Sequence, residues 1–499
     1  GSATCPGAAP CVECKTVTAL PLPGNRLHLT LGEIAEATGG QIRSGRQSRV
    51  EGVVTDSRLD VRNRLFVALS GQRFDGHDCV DHAIRGGAAA VMVSRNCEVP
   101  NEVSVVRVPS TLQALGALGR WWRKRWGGAI TAVAGSAGKT TTRSAAGAML
   151  GAVFPGSVHT VSGNFNNLIG VPLVLLGIEP EHRYAVVELG TSRPGEVSDL
   201  VGISEPDAGI LTLIGLEHCQ GFGGIDQIEK EEGELLAGLG PGGVAVANGD
   251  DVRAQRQLAQ SPAFRKVSYG FGAECDYRVL SHTQAALDCA EIAIERRGAG
   301  RAREVVTLSC SLFGRPGALA AAAALALVDA LLGEPIAEQR VSTALKSPEL
   351  AQPGRLVPIQ LADGSVILDD SYNSNPPSLL SSLEVARELA HRRSARLLLV
   401  LGEMRELGEH SRAQHRAMGE RLGANGAESV IAVGGDAQLL ADSVRAAGVP
   451  AEFAGDSGQA LELVIQQMRA GDVVLVKGSR GLELETVVEG LIDKRGKAS

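Results

Sequence analysis

Between residues 129 and 142 an apolar run with β-branched residues, Ala129-Ile130-Thr131-Ala132-Val133-Ala134, breaks into a glycine turn, and a helical pattern follows. The turn reads Gly135-Ser136-Ala137-Gly138-Lys139-Thr140-Thr141. A strand that passes through glycines into a helix suits an anion. Backbone N–H groups close around phosphate oxygens, the lysine neutralises them and the threonine hydroxyl reaches Mg²⁺. The new helix also aims its positive end at the charge. The usual phosphate loop spaces its glycines by four residues, whereas here two intervene. Alone, the turn implies a nucleoside triphosphate, with a plain glycine turn as the alternative.

The rest of the chain reads as α/β. Leu65–Leu69 and Ala88–Val93 are buried-strand runs, giving a small α/β domain that ends near residue 112, and Leu112–Trp126 has the pattern of an amphipathic helix. Tyr184–Glu188 and Ala208–Ile214 continue a strand-then-helix alternation to about residue 334, which argues for a mostly parallel sheet with helices on both faces. The alanine-rich run 318–328 is a helix suited to close packing. After Gly333-Glu334-Pro335 a second series begins, with strands at Val366–Leu368, Leu397–Leu401, Ser429–Val433 and Asp472–Val476, the spacing of a Rossmann-like domain. The expected limits are an extension over 1–27 and domains over 28–112, 113–334 and 335–499.

With 499 residues, two to four domains are expected. A formal charge of −7 gives no reason to expect nucleic acid or an anionic membrane surface, and no run approaches the ~18 apolar residues of a membrane helix. The nine cysteines are scattered, and free thiols in so long a chain suggest a reducing, cytoplasmic compartment. Cys11-x-x-Cys14 could bind metal or act in redox chemistry, but it sits in a Pro/Gly/Ala-rich lead-in that reads as a disordered tail.

Several further motifs follow the glycine turn in order. They are Ser162-Gly163-Asn164-Phe165-Asn166-Asn167-Leu168-Ile169-Gly170-Val171-Pro172, Glu188-Leu189-Gly190, Glu217-His218-Cys219-Gln220-Gly221-Phe222, Asn248-Gly249-Asp250-Asp251 and Gly354-Arg355. Beyond them come Leu368-Asp369-Asp370-Ser371-Tyr372-Asn373-Ser374-Asn375-Pro376, Leu401-Gly402-Glu403-Met404-Arg405-Glu406-Leu407-Gly408 and Lys477-Gly478-Ser479-Arg480. Thr55-Asp56-Ser57-Arg58 and Arg73-Phe74-Asp75-Gly76-His77-Asp78 precede it. Together they resemble the Mur ligase family, in particular its D-alanyl-D-alanine-adding branch, over about residues 30 to 490.

The resemblance implies three domains: a small N-terminal α/β domain for the UDP end of a muropeptide, a central P-loop ATPase-type domain, and a C-terminal Rossmann-like domain that receives the amine and closes over ATP. It implies a monomer that takes ATP, Mg²⁺, UDP-N-acetylmuramoyl-tripeptide and D-alanyl-D-alanine. Lys139 would contact the β/γ-phosphates, Thr140 and Glu188 would hold Mg²⁺, and His218 would serve a second Mg²⁺. Asn164, Asn166 and Asn167 would orient substrate or phosphate oxygens. Asp370, Asn373 and Arg355 would reach ATP from the third domain, with Tyr372 and Asn375 on the closing face. Lys477 and Arg480 would line the acceptor side, and Asp56, Ser57 and Arg58 the UDP end. Most of these types also occur in ordinary polar turns.

Two departures stand out. Relatives usually carry a lysine, used as its carbamate, where Lys230-Glu231-Glu232-Gly233-Glu234 aligns Glu232, so Glu232 is expected to offer its carboxylate to the metal directly. Relatives also carry Gly-x-His-Asn-x-x-Asn near the adenine, where this chain has Gly314-Arg315-Pro316-Gly317-Ala318-Leu319-Ala320, without side-chain amides. The alternatives are a ligase adding the third amino acid, although its usual Asp-Asn-Pro-Arg signature is missing, a more distant folate-polyglutamylating enzyme, and a nucleotide-binding regulatory protein.

Overall fold

A computed structural model describes residues 22–43, 45–71, 74–217, 219–297, 303–347, 350–423, 427 and 429–498. The Cys11-x-x-Cys14 lead-in and His218 lie outside the described residues.

The N-terminal unit is a five-stranded sheet in the order Gln41–Arg43, Ser104–Arg107, Ala90–Val93, Leu65–Val67, Val53–Val54, parallel except at its first pair. The expected extension to residue 27 is shorter, because from Leu22 the chain is already docked. Asn25 is buried and exchanges two hydrogen bonds with the Val53 backbone, at 2.7 and 2.8 Å, and Leu27 joins the core. The helix Thr111–Trp126 starts on a Ser110 cap, with Ser110 Oγ accepting from Gln113 N–H. Its Ala114, Leu115 and Leu118 share one core with Leu173 and Leu176 of the helix Gly170–Leu176.

The central sheet has nine strands in the order Glu304–Cys310, Cys289–Arg296, Tyr277–Ala286, Arg265–Gly270, Val244–Asn248, Ala208–Leu211, Ala129–Ala134, Tyr184–Glu188, Val158–His159. From Tyr277–Ala286 to Val158–His159 every pair is parallel. Growth of the sheet switches sides at Ala129–Ala134, which has Tyr184–Glu188 on one flank and Ala208–Leu211 on the other. Such a switch leaves a crevice at the carboxyl ends of the strands.

The strand–helix alternation expected up to residue 334 stops earlier. The strands Tyr277–Ala286, Cys289–Arg296 and Glu304–Cys310 pair as an antiparallel meander. Its middle strand alternates strictly, burying Ala290, Ile292, Ile294 and Arg296, the period of a sheet covered on one face. The covering element is the alanine-rich helix Gly314–Leu332, packed beside Ala145, Ala146 and Met149 of the helix Lys139–Val153. Among the described residues it is the one helix long and apolar enough to cross a bilayer, and here it is mostly buried in the core. It ends at Gly333 in a left-handed backbone (φ 74°), and Ile336, Val341, Leu345 and Leu350 beyond it still pack into the same core.

The C-terminal unit is a six-stranded sheet in the order Val357–Gln360, Val366–Asp370, Val473–Lys477, Leu397–Gly402, Ser429–Val433, Ala451–Ala454, antiparallel only at the first pair. The helix Pro376–Arg393 follows Val366–Asp370.

The central sheet depends on one buried polar knot. Asp329 accepts hydrogen bonds from Ile336 N–H (2.7 Å), the Tyr277 hydroxyl (3.0 Å) and Arg296 Nη1 (3.2 Å). Removing the carboxylate strands the buried Tyr277 hydroxyl and Ile336 N–H and takes from Arg296 one of its two carboxylate partners, the other being Glu304 at 3.0 Å. We expect Asp329→Ala to cost roughly 3 kcal/mol, seen as an earlier thermal transition by circular dichroism.

Candidate active site

The glycine turn sits at the crevice. Gly135 has φ +122°, and a Cβ there would lie 2.2 Å from Thr212 Oγ1, so the loop can press against the neighbouring strand only as glycine. Ser136 secures that contact. Its N–H donates to Leu213 O (2.6 Å), and its hydroxyl bonds Gly215 O (3.0 Å) and Gly215 N–H (2.9 Å). Gly138, at φ +85°, starts the helix Lys139–Val153 without a side-chain cap, so the first N–H groups and the positive dipole end face the loop.

Lys139 folds back so that Nζ donates to Gly135 O and lies 3.7 Å from Glu217 Oε1. Burial alone would lower its pKa, but Glu217, Glu232 and Glu188 together outweigh burial and hold the ammonium above its usual range. Glu188, at the end of its strand and 3 % exposed, accepts from the Thr140 hydroxyl and from Asn166 Nδ2, both at 2.8 Å. The phosphate-loop threonine, the strand-end glutamate and one asparagine of the Asn-rich loop therefore meet. Asn167 does something else: its Oδ1 accepts from Gly170 N–H (2.8 Å) and Ile169 N–H (3.1 Å) at the start of a helix, while Asn164 is exposed. Thr141 is half-buried on the first helical turn.

The helix Ile225–Ala237 separates its glutamates by partner. Glu229 pairs with Arg256 of the helix Val252–Gln260, and Glu231 accepts from the Gly195 and Val197 N–H groups at the start of the helix Glu196–Ser204. Glu232, fully buried, accepts from Gly135 N–H at 2.7 Å. Lys230 is exposed, so the residue that reaches the phosphate loop is Glu232. Its Oε1 is buried and accepts no hydrogen bond. Burial, only partly offset by the attraction of Lys139, pushes its pKa to about 8.

The third domain meets the loop from above. Arg355 stacks its guanidinium 4.1 Å from the Tyr372 ring and adds positive charge to the field at Lys139 and Arg143, while Arg480 lies 5.9 Å from the same ring. Lys477, expected on the acceptor side, is buried instead, donating to Asp370 Oδ2 (2.6 Å) and Asn373 O (2.9 Å). Burial lowers its pKa despite that pairing. Asp370 also accepts from the Ser382 hydroxyl (2.5 Å), so both residues brace the loop from beneath. The Asn373 side chain is exposed at its surface. Asn375, expected on the substrate-facing side, is likewise buried, with both amide atoms bonded within the protein.

Asp56 and Arg58 form an exposed ion pair across one turn, at 2.6 Å, with Ser57 half-buried between them. They lie away from the phosphate loop's contacts, next to a cavity of about 140 Å³ lined by Leu22, Pro23, Val53, Thr55, Arg64 and Leu173.

Two further charged residues stand at the phosphate loop. Glu217, which precedes His218 in the sequence, is buried and faces Lys139. Arg143, buried, donates to Val161 O and lies 3.9 Å from Glu188 Oε2. Its signal was available, since it is four residues after Lys139 and so on the same helix face. At the helix start Gly314–Ala320, Arg315 stacks on Phe271 at 3.5 Å, and a Cβ at Gly317 would meet Leu312 at 2.8 Å.

Among the described residues no three His, Cys, Asp or Glu side chains converge into a cage. Mg²⁺ rarely needs one, because it takes one or two carboxylates and completes its shell with phosphate and water. Glu188 with Thr140, and the bare buried oxygen of Glu232, fit that donor set.

The raised Glu232 pKa has a consequence for stability. The folded state binds this proton more tightly than the unfolded chain, so its stabilising effect is full below about pH 4.5 and is lost as pH rises through about 8. Glu232→Gln, the neutral isostere, should fold normally and lack this loss. Thermal melts of ligand-free protein at pH 5 and 8 should therefore show the variant gaining on the wild type with pH.

The sequence model of the Mur ligase middle domain matches residues 133–328, and that of the Mur ligase, glutamate ligase domain matches 354–480. The chain is similar to the UDP-N-acetylmuramoyl-tripeptide–D-alanyl-D-alanine ligase of Escherichia coli (strain K12), 33% identical over 93% of this chain and 98% of that protein. It is also similar to the ligase of the same name from Bacillus subtilis (strain 168), 31% identical over 93% and 98%. Among solved structures, MurF from Acinetobacter baumannii superposes with a TM-score of 0.82 at 27% identity, covering 94% of this chain and 100% of that one. MurF ligase from Thermotoga maritima in complex with ADP gives 0.75 at 26% identity, covering 89% and 97%.

Proposed function

The chain belongs to the Mur ligase family, and from that premise we propose that it joins D-alanyl-D-alanine to UDP-N-acetylmuramoyl-tripeptide at the expense of ATP. The observation that carries this reading is the meeting of Lys139, Thr140, Glu188 and Glu232 around one glycine loop at a sheet's switch point.

Making an amide from a carboxylate first requires a leaving group. The substrate carboxylate attacks the γ-phosphorus of ATP, giving an acyl phosphate and ADP. The dipeptide amine then attacks the acyl carbon, and inorganic phosphate leaves from the tetrahedral intermediate. Both steps gather negative charge, so the protein's main task is to place cations and donors in advance. In this reading the loop N–H groups and Lys139 bind the β- and γ-phosphates, and Arg355 comes from the third domain to the same charge. Thr140 and Glu188 would hold one Mg²⁺, and Glu232 with His218 a second. Bound there, the metal would withdraw charge from the phosphates and so leave the γ-phosphorus more open to the carboxylate. Asn166 keeps the Glu188 carboxylate oriented, and Tyr372 with Arg480 lines the third-domain face.

A phosphate-release assay with UDP-muropeptide and ATP tests the proposal. Turnover is expected only when D-alanyl-D-alanine is added, and Lys139→Ala should reduce it about 1000-fold. Phosphate release with another amino acid in place of the dipeptide would reassign the acceptor, and none with any amine would leave only a nucleotide-binding protein.

The role of Glu232 has its own test. Relatives need CO₂ to make their carbamate, whereas a carboxylate is ready as translated. Turnover should be insensitive to bicarbonate depletion, and Glu232→Lys should be inactive without added bicarbonate. Full activity of that variant in CO₂-free buffer would remove Glu232 from the site.

A further inference from the structure

We propose that Asn375 is a positioning residue through which docking of the third domain sets the shape of the phosphate loop. The inference rests on the nucleotide-binding reading of that loop and goes beyond it, by assigning the loop a partner 239 residues away.

Asn375 begins the helix Pro376–Arg393. Its Oδ1 accepts from Ser378 N–H at 2.9 Å, and its own N–H donates to Ser378 Oγ at 3.1 Å, a reciprocal cap. The cap uses only the oxygen of the amide. Nδ2 donates across the domain boundary to Ser136 O at 3.0 Å and lies 3.5 Å from Glu217 Oε2. A planar trans peptide points its C=O and the following N–H in opposite directions. Holding the Ser136 carbonyl toward Asn375 therefore turns the Ala137 N–H away from it, which fixes the orientation of one loop donor.

The surroundings support a docking contact rather than a chance one. Pro377 packs on Gly215, where a Cβ would lie 2.7 Å from its ring, and Gly215 is the residue whose N–H and C=O bond the Ser136 hydroxyl. Farther along the same loop, Gln220 N–H donates to Glu406 O at 3.1 Å, and Gly408 approaches Gln220 closely. The third domain thus touches the phosphate loop, Gly215 and Gln220 directly.

An amide is the side chain this position needs, because it accepts at one atom and donates at the other. Aspartate accepts equally well as a helix cap, yet it has no donor for Ser136 O and would bring a carboxylate to Glu217. Asn375→Asp therefore separates the two jobs, and Ser378→Ala disturbs the cap while leaving the Ser136 contact. The test uses full-length protein, measuring Mg·ATP affinity with a fluorescent nucleotide in the absence of muropeptide and dipeptide, alongside thermal melts. Asn375→Asp should melt somewhat below the wild type, because its carboxylate is buried beside Glu217. At a temperature where it is fully folded it should bind Mg·ATP at least about tenfold more weakly, and in turnover it should raise the KM for ATP more than that for the amine. Ser378→Ala should bind within twofold of wild type.

Equal losses in both variants would reduce Asn375 to a cap, and wild-type affinity in both would remove it from the loop. Either result overturns the proposal while leaving the ligase reading intact. A wild-type protein that binds no Mg·ATP would take both down.

Discussion

Three glutamates, Glu188, Glu217 and Glu232, converge on Lys139 in a region almost closed to water, with Arg143 beside Glu188 and Arg355 adding positive charge, and the organisation of the crevice follows from that concentration of buried charge. Uncompensated buried charge is costly, so each acid is restrained differently. Glu188 receives two side-chain hydrogen bonds, Glu217 faces the ammonium, and Glu232 is driven toward its neutral form. A site balanced this way in the absence of ligand is suited to cations, since adding positive charge relieves a strain the fold already carries.

The glycine turn was legible because its function is local. Glycines, lysine and threonine are contiguous, and the strand before and helix after them have different periodicities. The placing of Glu188 beside the phosphate loop was legible for a similar reason, since a strand end there has few places to point. The antiparallel meander at 277–310 was not, because sequence alternation there looks like any half-buried strand, and parallel or antiparallel pairing is decided by partners elsewhere. Residues 22–27 were read as part of an extension because a single asparagine anchors them, and asparagine usually signals a turn.

The burial of Lys477, Asp370 and Asn375 was the least legible feature. Basic and amide residues after strands normally face solvent, and nothing near them in sequence reveals that they pair with one another or with a loop far away in the chain. The departure at Gly314–Ala320 has a related lesson. Gly317 stands where relatives carry an asparagine, but with Leu312 so close no longer side chain fits on this backbone. The change belongs to the packing of the whole helix start, and the stacked Arg315 and Phe271 are part of it.

The helix Ile225–Ala237 commits each of three nearby glutamates to a different neighbour: the next helix, a helix start and the phosphate loop. Residues two or three apart on a helix point in directions about 160° to 60° from one another, so these attachments together lock its rotational phase. Evolution can then exchange the chemical group at position 232 far more readily than it can insert or delete a residue before it. A single added residue would swing every acid by a quarter turn or more and break all three connections at once.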